Sequence, residues 1–205
     1  MRPTLIEGAR ALGLDLPMQA LQRLLDYVAL IEKWNKVYNL TAIRDPEHMV
    51  VEHLLDSLAV SPHTAPGALL DLGSGAGLPG IPLSIARPDL QVTLLDSNRK
   101  KCAFLKQVTI ELGLENVEVA CVRAEVFRPG HRFESVVTRA FADLATMAAL
   151  GAPLLAPGGC LLAMKGTEPA EELAQLGEAV RVQSVVRLNV PGLGAQRHLV
   201  IMTMA

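Results

Sequence analysis

The feature that most constrains this chain is a glycine-rich segment that follows a short apolar run. Residues 69–80 read Leu-Leu-Asp-Leu-Gly-Ser-Gly-Ala-Gly-Leu-Pro-Gly. Because glycine adopts positive backbone φ at little cost, such a segment turns tightly and lets the backbone approach a ligand closely. A helix beginning at Gly80 would direct free N–H groups at the same point. The segment therefore predicts a strand–loop–helix unit that binds a ligand.

The glycine spacing fits two classes of cofactor. Gly75, Gly77 and Gly80 satisfy the G-x-G-x-x-G pattern of dinucleotide-binding proteins. The D-x-G-x-G-x-G pattern, typical of S-adenosylmethionine-dependent methyltransferases, is satisfied by Asp71, Gly73, Gly75 and Gly77. Glycine spacing alone does not choose between them, so the neighbouring residues have to decide.

Two neighbouring residues favour S-adenosylmethionine over NAD. A carboxylate at the end of the strand, as at Asp71, can hold the ammonium group of an amino acid or its water, whereas it would repel a pyrophosphate. Pro79 lacks an N–H group where a phosphate cradle needs one. We therefore expect the methionine end of the cofactor to be held by Asp71, Gly73, Gly75, Gly77 and Leu78.

Later strand ends supply further cofactor-binding candidates. Asp96 ends a predicted strand 21 residues after Gly75, where a carboxylate accepts hydrogen bonds from both ribose hydroxyls in either class of cofactor. The alternative role of Asp96 is to cap the following helix, for which Asn98 competes. Ala124 and Glu125 follow the third strand, where such groups bracket an adenine edge, although a solvated glutamate is the alternative.

Beyond residue 67, apolar runs alternate with helical patterns. The predicted strands are residues 68–72, 91–96, 117–121, 135–138 and 159–164, and the predicted helices are residues 80–87 and 99–112. Two final strands, residues 182–190 and 198–204, are joined only by a loop and must therefore pair antiparallel. This order predicts an α/β fold of class I methyltransferase type, with a mostly parallel Rossmann-like sheet and a C-terminal antiparallel hairpin.

The N-terminal part predicts a helical cap. Residues 18–37 place apolar side chains on one face at three- and four-residue steps, with Pro17 at the helix start and Asp15 as its cap. A second helix is predicted over residues 46–60 with Asp45 as its cap. The chain is accordingly divided into residues 1–60, a helical extension, and residues 61–205, a Rossmann-like methyltransferase domain in one compact unit.

Composition excludes several other classes of protein. A formal net charge of −2 and an aromatic content of 3% are not typical of a protein that binds nucleic acid by bulk electrostatics or base stacking.

No apolar run reaches the roughly 18 residues that a membrane span needs, and no signal pattern opens the chain, so we expect a soluble cytoplasmic protein. The spacing of Cys102, Cys121 and Cys160 predicts three inert side chains without a disulfide or zinc site. No metal site is expected.

Together these segments resemble one family over essentially the whole chain: the bacterial small-subunit ribosomal RNA methyltransferase G, also called glucose-inhibited division protein B. The resemblance rests on residues 34–41, 53–58, 71–80, 97–101, 138–141, 165–166 and 197–200. Thr138 departs from the serine of many relatives. The resemblance implies methylation of the 7-nitrogen of one guanosine in a pseudoknotted loop of 16S ribosomal RNA. It also implies cofactor contacts from Gly73, Leu78, Ala124, Glu125 and Arg139.

The chemistry of that reaction limits what catalytic residues are needed. The 7-nitrogen of guanine attacks the methyl group with an in-plane lone pair and loses no proton, so no general base is required, only alignment of the reacting atoms. Because the ring gains positive charge, we expect basic residues to hold RNA phosphates instead of contacting the ring. Arg139 is expected between cofactor and substrate. The predicted RNA-binding residues are Lys100, Arg123, Lys165 and Arg197.

The expected partner is 16S ribosomal RNA, within the small ribosomal subunit or an assembly intermediate, and the expected state is a monomer. Two alternatives stay open: a small-molecule methyltransferase in which the helical cap closes over a compact pocket, and a non-catalytic nucleotide-binding protein. For His53 and Trp34 the sequence favours packing in the core over ligand contact. Asn39 is as well explained by a turn as by a ligand contact.

Overall fold

Seven strands form one sheet in a computed structural model that describes all 205 residues. The strands are β1 (Gly67–Leu72), β2 (Leu90–Leu95), β3 (Val117–Ala120), β4 (Phe133–Arg139), β5 (Leu155–Lys165), β6 (Val180–Arg187) and β7 (His198–Met204). Their order across the sheet is β3-β2-β1-β4-β5-β7-β6. The first five strands pair parallel, and β7 pairs antiparallel with both β5 and β6. The predicted parallel sheet with a C-terminal antiparallel hairpin is confirmed.

The predicted strands are all present, but some of their bounds were wrong. β5 begins four residues before the predicted start at residue 159, because Leu155 pairs with Phe133 across a break in the register. Pro157 and Gly158 interrupt the apolar pattern there and hid the pairing. β6 ends at Arg187, three residues before the predicted end at residue 190, because the backbone N–H of Leu188 donates to the carbonyl of Arg197 outside the ladder.

Helices connect the strands and precede them. The longer ones are α1 (Arg2–Ala11), α2 (Met18–Tyr38), α5 (Gly80–Ala86), α6 (Arg99–Glu111) and α7 (Leu144–Gly151). The shorter helical segments are α3 (Pro46–Met49), a π-turn (Val50–Leu55), α4 (Asp56–Leu58), α8 (Ala170–Ala174) and three 3₁₀ turns (Ser61–His63, Ala124–Val126 and Ala152–Leu154). Helices α1, α7 and α8 were not predicted from the sequence. No helix combines the length and apolarity that crossing a membrane requires.

The N-terminal helices follow the prediction with two differences. Asp15 does not cap α2, because Pro17 occupies the N-cap position and makes no side-chain cap bond. Asp45 does cap the second helical segment, since its side chain accepts from the backbone N–H of Glu47. That segment is not one regular α-helix, because a π-turn separates α3 from α4. Asn39 ends α2 in a left-handed conformation, with φ of 47°.

The helical extension and the sheet share one apolar core. A single buried cluster contains Leu24 of α2, Leu58 of α4, Leu69 of β1 and Phe104 of α6. A second cluster, on the other face of the sheet, contains Leu70 and the apolar side of α7. Leu69 and Leu70 point to opposite faces because side chains alternate along a strand. Both faces of β1 are therefore covered, which explains its unbroken apolar run.

The expectation of three unpaired cysteines was wrong for two of them. Cys102, in the first turn of α6, and Cys121, directly after β3, form a disulfide with a Cα–Cα distance of 5.9 Å. Cys160 is free. Sequence spacing hid this pairing because β3 lies beside β2, which brings the segment after β3 next to the start of α6. Residues 19 apart in sequence thereby become neighbours.

Candidate functional site

The glycine-rich loop lies at the carboxyl end of β1, between the ends of β2 and β4. Gly73 has φ of +74°, a conformation that favours glycine, and its N–H donates to the carbonyl of Leu95 at the end of β2. A Cβ atom on Gly73 would collide with the ring of Phe141, which follows β4. The loop is thus pressed between neighbouring strand ends and leaves no room for a side chain at Gly73.

Asp71 lies beneath this loop. Its side chain is fully buried on the central strand, and Oδ2 accepts a hydrogen bond of 2.8 Å from the N–H of Gly80 at the start of α5. Burial raises the pKa of this carboxyl to about 7, while the Gly80 N–H bond and the charge of Arg139 oppose that rise. The other oxygen, Oδ1, has no hydrogen-bond partner. Asp71 therefore fixes the loop from below and keeps one acceptor unused.

Asp96 ties the loop to the end of β2. Its Oδ2 accepts from the N–H of Gly75 at 2.9 Å, and its Oδ1 accepts from the N–H of Asn98 at 2.7 Å. The cap of α6 is Asn98, whose side chain accepts from the N–H groups of Lys100 and Lys101. The alternative in which Asp96 caps this helix is thereby excluded. An ionised carboxylate has about four lone-pair positions, so two bonds leave room for ligand hydroxyls.

A cavity of about 240 Å³ opens beside the loop and brings several predicted residues together. The predicted residues that line it are Gly73, Asp96, Arg123, Ala124 and Glu125. Lys101, Ala140 and Phe141 also line it, and none of the three was predicted to contact the cofactor. Ala140 has φ of 53°, which is uncommon for a residue with a side chain and occurs often at functional sites.

Other predicted cofactor residues are not in the cavity wall. Leu78 is 4% exposed and packs in the main core, and Asp71 is covered by the loop. Gly77 faces the protein, since a Cβ there would meet Ile81, Leu105 and Tyr27. At Gly75, by contrast, a Cβ would meet no atom closer than 3.9 Å. The loop thus presents Gly73 and Gly75 outward, while Gly77 and Leu78 anchor it.

Tyr27 of α2 braces the loop from the helical extension. Its hydroxyl donates a 2.6 Å hydrogen bond to the carbonyl of Ala76, and the side chain is completely buried. Burial raises the pKa of this phenol well above its ordinary value, so the hydroxyl keeps its proton as donor. Sequence reasoning missed Tyr27, because an aromatic residue on the apolar face of a helix gives no signal beyond core packing.

A second group of side chains lies at the ends of β4 and β7. Arg139, the last residue of β4, donates through Nη1 to the carbonyl of Glu52 at 3.0 Å and to Oδ2 of Asp56 at 3.2 Å. Arg197, just before β7, donates through Nε to Oδ1 of Asp56 at 3.0 Å. The Asp56 side chain is only 2% exposed. The two predicted arginines therefore share one buried acid, Asp56, and that pairing was not predicted from the sequence.

His53 has the core role that the sequence favoured. Its Nε2 lies 2.9 Å from the hydroxyl of Thr41, and its Nδ1 is buried without a partner. Burial, with a further contribution from the charge of Arg139, lowers the pKa of His53 to about 4. The imidazole is therefore neutral at pH 7 and carries no charge to the site. Trp34 likewise packs against Phe104 of α6.

The remaining predicted basic residues are spread along the same edge. Lys165 donates to both carboxylate oxygens of Glu172 on α8, at 3.0 and 2.7 Å, and to the carbonyl of Ala142 at 3.0 Å. Lys100 lies with Nζ 6.0 Å from the centre of the Tyr38 ring. Arg123 lines the cavity. The structure brings Arg139 and Arg197 together but gives Lys165 a separate acidic partner.

Comparison with known proteins agrees with this arrangement. A family model described as rRNA small subunit methyltransferase G matches residues 20–200. Ribosomal RNA small subunit methyltransferase G of Methylobacillus flagellatus is 52% identical over 202 residues, which cover 98% of this chain and 98% of that protein. The protein of the same name from Nitrosospira multiformis is 51% identical over 208 residues, covering 98% of this chain and 96% of the relative.

Solved structures resemble the chain in fold. TrmN from Thermus thermophilus superposes with a TM-score of 0.57 at 14% sequence identity, covering 76% of this chain and 53% of TrmN. The N-methyltransferase NodS from Bradyrhizobium japonicum WM9 gives a TM-score of 0.56 at 16% identity, covering 78% of this chain and 98% of NodS. At these identities the likeness shows a shared fold, that of class I methyltransferases.

Proposed function

The chain belongs to the rRNA small subunit methyltransferase G family, and from this premise we propose which atom it modifies and how. It is a methyltransferase that uses S-adenosylmethionine and modifies ribosomal RNA of the small subunit. We assign the methyl acceptor as the 7-nitrogen of one guanosine in 16S ribosomal RNA. The juxtaposition of the glycine-loop cavity with the pair Arg139 and Arg197 supports this assignment best.

The residues at the cavity fit S-adenosylmethionine. The unpaired Oδ1 of Asp71 and the unpaired hydroxyl of Ser74 mark buried polar groups at the loop that have no partner within the protein. Asp96 and Glu125 place carboxylates at the wall. We propose that Asp96 accepts the ribose hydroxyls, that Ala124 and Glu125 bracket the adenine, and that the loop from Gly73 to Leu78 with Asp71 holds the methionine end.

The cofactor supplies an electrophilic methyl group on a sulfonium. The acceptor nitrogen carries an in-plane lone pair and no proton, so the protein needs no general base. His53 is neutral and enclosed, and it takes no part in proton transfer. The contribution of this chain is alignment, because the loop and the strand ends hold both reactants in one geometry, an effect worth up to several kcal/mol.

The substrate is bound by basic side chains at the carboxyl edge of the sheet. We propose that Lys100, Arg123, Lys165 and Arg197 contact phosphates of the RNA, while Arg139 lies between cofactor and substrate. Four such contacts give salt-dependent docking without a basic isoelectric point. We further propose that the protein acts as a monomer in the cytoplasm. Because its formal net charge of −2 gives little general attraction to RNA, we propose that its substrate is the small subunit or an assembly intermediate, not short free RNA.

The test is methyl transfer to small ribosomal subunits from a strain that lacks this modification. The protein is incubated with methyl-labelled S-adenosylmethionine, and the labelled nucleotide is mapped by cleavage specific for 7-methylguanosine. We expect label on a single guanosine. A bare oligonucleotide with the sequence of the target loop is the comparison substrate, and it should be methylated more slowly than the small subunit. Cofactor binding without label on RNA would contradict the assignment and favour a small-molecule acceptor.

A further inference from the structure

We propose that Asp56 is a positioning residue for the methyl transfer: its buried carboxylate gathers Arg139 and Arg197 into one unit and offsets part of their positive charge beside the cofactor. This inference rests on the proposed function, since it concerns the same site. Asp56 acts through the two arginines. Asp56 itself does not line the cavity.

The geometry divides the carboxylate between the two arginines. Oδ2 lies 3.2 Å from Nη1 of Arg139, and Oδ1 lies 3.0 Å from Nε of Arg197. The side chain of Asp56 is 2% exposed, whereas those of Arg139 and Arg197 are 22% and 23% exposed. Each guanidinium therefore has one end fixed on a buried acid and another end at the surface. This is the arrangement expected of donors that are held ready for an anionic ligand.

The π-turn explains how Asp56 reaches this place. The N–H of Asp56 donates to the carbonyl of Val51, five residues earlier, and the carbonyl of Glu52 accepts from Nη1 of Arg139 at 3.0 Å. A π-turn shifts the following side chains relative to a regular α-helix and is frequent at functional sites. Here it supplies Arg139 with two acceptors, one backbone and one side chain. Nε and Nη2 of Arg139 make no bonds within the protein and remain for substrate.

Charge explains why the acid is needed. Two adjacent guanidiniums repel each other, and Asp56 reduces the charge of the group from +2 to +1. The charge of Arg139 reaches the glycine loop, since it lowers the pKa of the Asp71 carboxyl below the value that burial alone would give. During the transfer the positive charge of the sulfonium moves onto the guanine ring, so an uncompensated guanidinium beside the acceptor would oppose catalysis.

The decisive variant is Asp56→Asn, which keeps the shape of the side chain and removes its charge. The affinities for S-adenosylmethionine and for its neutral product, S-adenosylhomocysteine, are measured by titration calorimetry. We expect the preference for the cationic ligand to fall at least threefold. When small subunits are methylated, kcat should fall at least tenfold. The rise in KM should be the smaller of the two changes. The control is Asp89→Asn, which removes the carboxylate of a surface pair with Arg87 and should change none of these values.

A merely structural role predicts a different result. It would lower thermal stability and weaken both ligands equally, and that outcome would overturn the proposal, as would unchanged kinetic constants. Asp56→Glu, which retains the charge, is the second variant if the asparagine protein does not fold. Asp56→Glu should keep the preference for S-adenosylmethionine over S-adenosylhomocysteine and recover part of kcat. A threefold or larger fall of that preference in Asp56→Glu would contradict the proposal. Because the ligand preference is measured without RNA, failure to methylate RNA counts against the proposed function alone.

Discussion

The glycine loop after β1 and the arginine pair at the ends of β4 and β7 lie at the same edge of the sheet but are held by different contacts. The loop is fixed by short-range bonds: Gly80 to Asp71, nine residues apart, and Gly75 to Asp96, 21 residues apart. The arginines are fixed by Asp56, which is 83 residues from Arg139 and 141 from Arg197.

The glycine loop, on the proposed cofactor side, and the arginine pair, on the proposed substrate side, therefore depend on different parts of the chain. On the cofactor side, Asp71, the glycine loop and Asp96 lie within one strand–loop–helix–strand unit, to which Tyr27 adds one hydrogen bond from the helical extension. The substrate side exists only when the helical extension has docked on the sheet. Changes at the loop should therefore act mainly on cofactor affinity, whereas changes around Asp56 should act mainly on the transfer step and less on the preference between cofactor and product.

The largest effect is expected at Asp96, whose two bonds hold the loop to β2. In Asp96→Ala, Gly75 and Asn98 lose a charged acceptor, and the proposed ribose contact disappears. Since a hydrogen bond to a charged group contributes about 1.5–3 kcal/mol, loss of the two proposed bonds from the ribose hydroxyls corresponds to roughly a hundredfold loss of S-adenosylmethionine affinity or more. Titration calorimetry checks this, with Asp89→Ala as the control. An affinity within threefold of the unmodified protein would refute local encoding of the cofactor side.

The next effect concerns the disulfide, which joins α6 to the segment after β3; the neighbouring residues Lys101 and Val122 line the cavity. Removing a cross-link that closes a loop of 19 residues is expected to lower the free energy of unfolding by about 3 kcal/mol. For a chain of this size, that corresponds to a fall in Tm of roughly 6–12 °C. Thermal unfolding of Cys121→Ser measures it, and Cys160→Ser is the matched control. Equal Tm values for the two variants would show that the bridge contributes nothing.

A third prediction uses the buried carboxyl of Asp71. Its pKa of about 7 means that it ionises as the pH rises through neutrality. If Asp71 holds the ammonium of the cofactor, as proposed, the cofactor binds the ionised form. Affinity should rise roughly tenfold between about pH 5.5 and 7, and Asp71→Asn should abolish that rise. Because the folded pKa is raised, the contribution of Asp71 to stability is greatest below its unfolded pKa and is lost as the pH approaches 7. A pH-independent affinity would place Asp71 away from the cofactor.

The smallest effect is expected on the substrate side, at the ion pair of Lys165 with Glu172. Both side chains are partly exposed, so the pair contributes no more than about 1 kcal/mol. In Glu172→Gln, Lys165 is released to bind phosphate, and the affinity for small subunits should rise two- to threefold at about 0.1 M salt. Filter binding at two salt concentrations measures this, against the neighbouring Glu171→Gln. Weaker binding by the Glu172→Gln variant would mean that Glu172 itself positions Lys165 for the RNA.

Local patterns predicted the fold and half of the site. Apolar runs separated by turns predicted the central strands, because a strand buried on both faces leaves an unbroken apolar signature, whereas the edge strands β3 and β6 alternate apolar and polar residues. The loop with Gly73 and the acid at Asp96 were found from spacing within one unit, and the structure brings both to one cavity. Leu78 matched the motif, yet it packs in the core.

Long-range contacts decided the rest. The disulfide between Cys102 and Cys121 depends on which strands are neighbours, and the support of the loop by Tyr27 depends on how α2 docks. No pattern of residues assigns Asp56 to two arginines, because a carboxylate on a helix looks the same in sequence whether it is solvated or buried.

Residues close in the chain were enough to predict the succession of strands and the tight turn of the glycine loop, because both follow from backbone freedom and apolar periodicity. The acceptor nitrogen was implied by the family resemblance. Which charges face each other is visible only in the folded chain. The energy of a charge depends on burial and on the partner that packing supplies, and both are fixed only when distant elements such as the π-turn and the end of β4 meet.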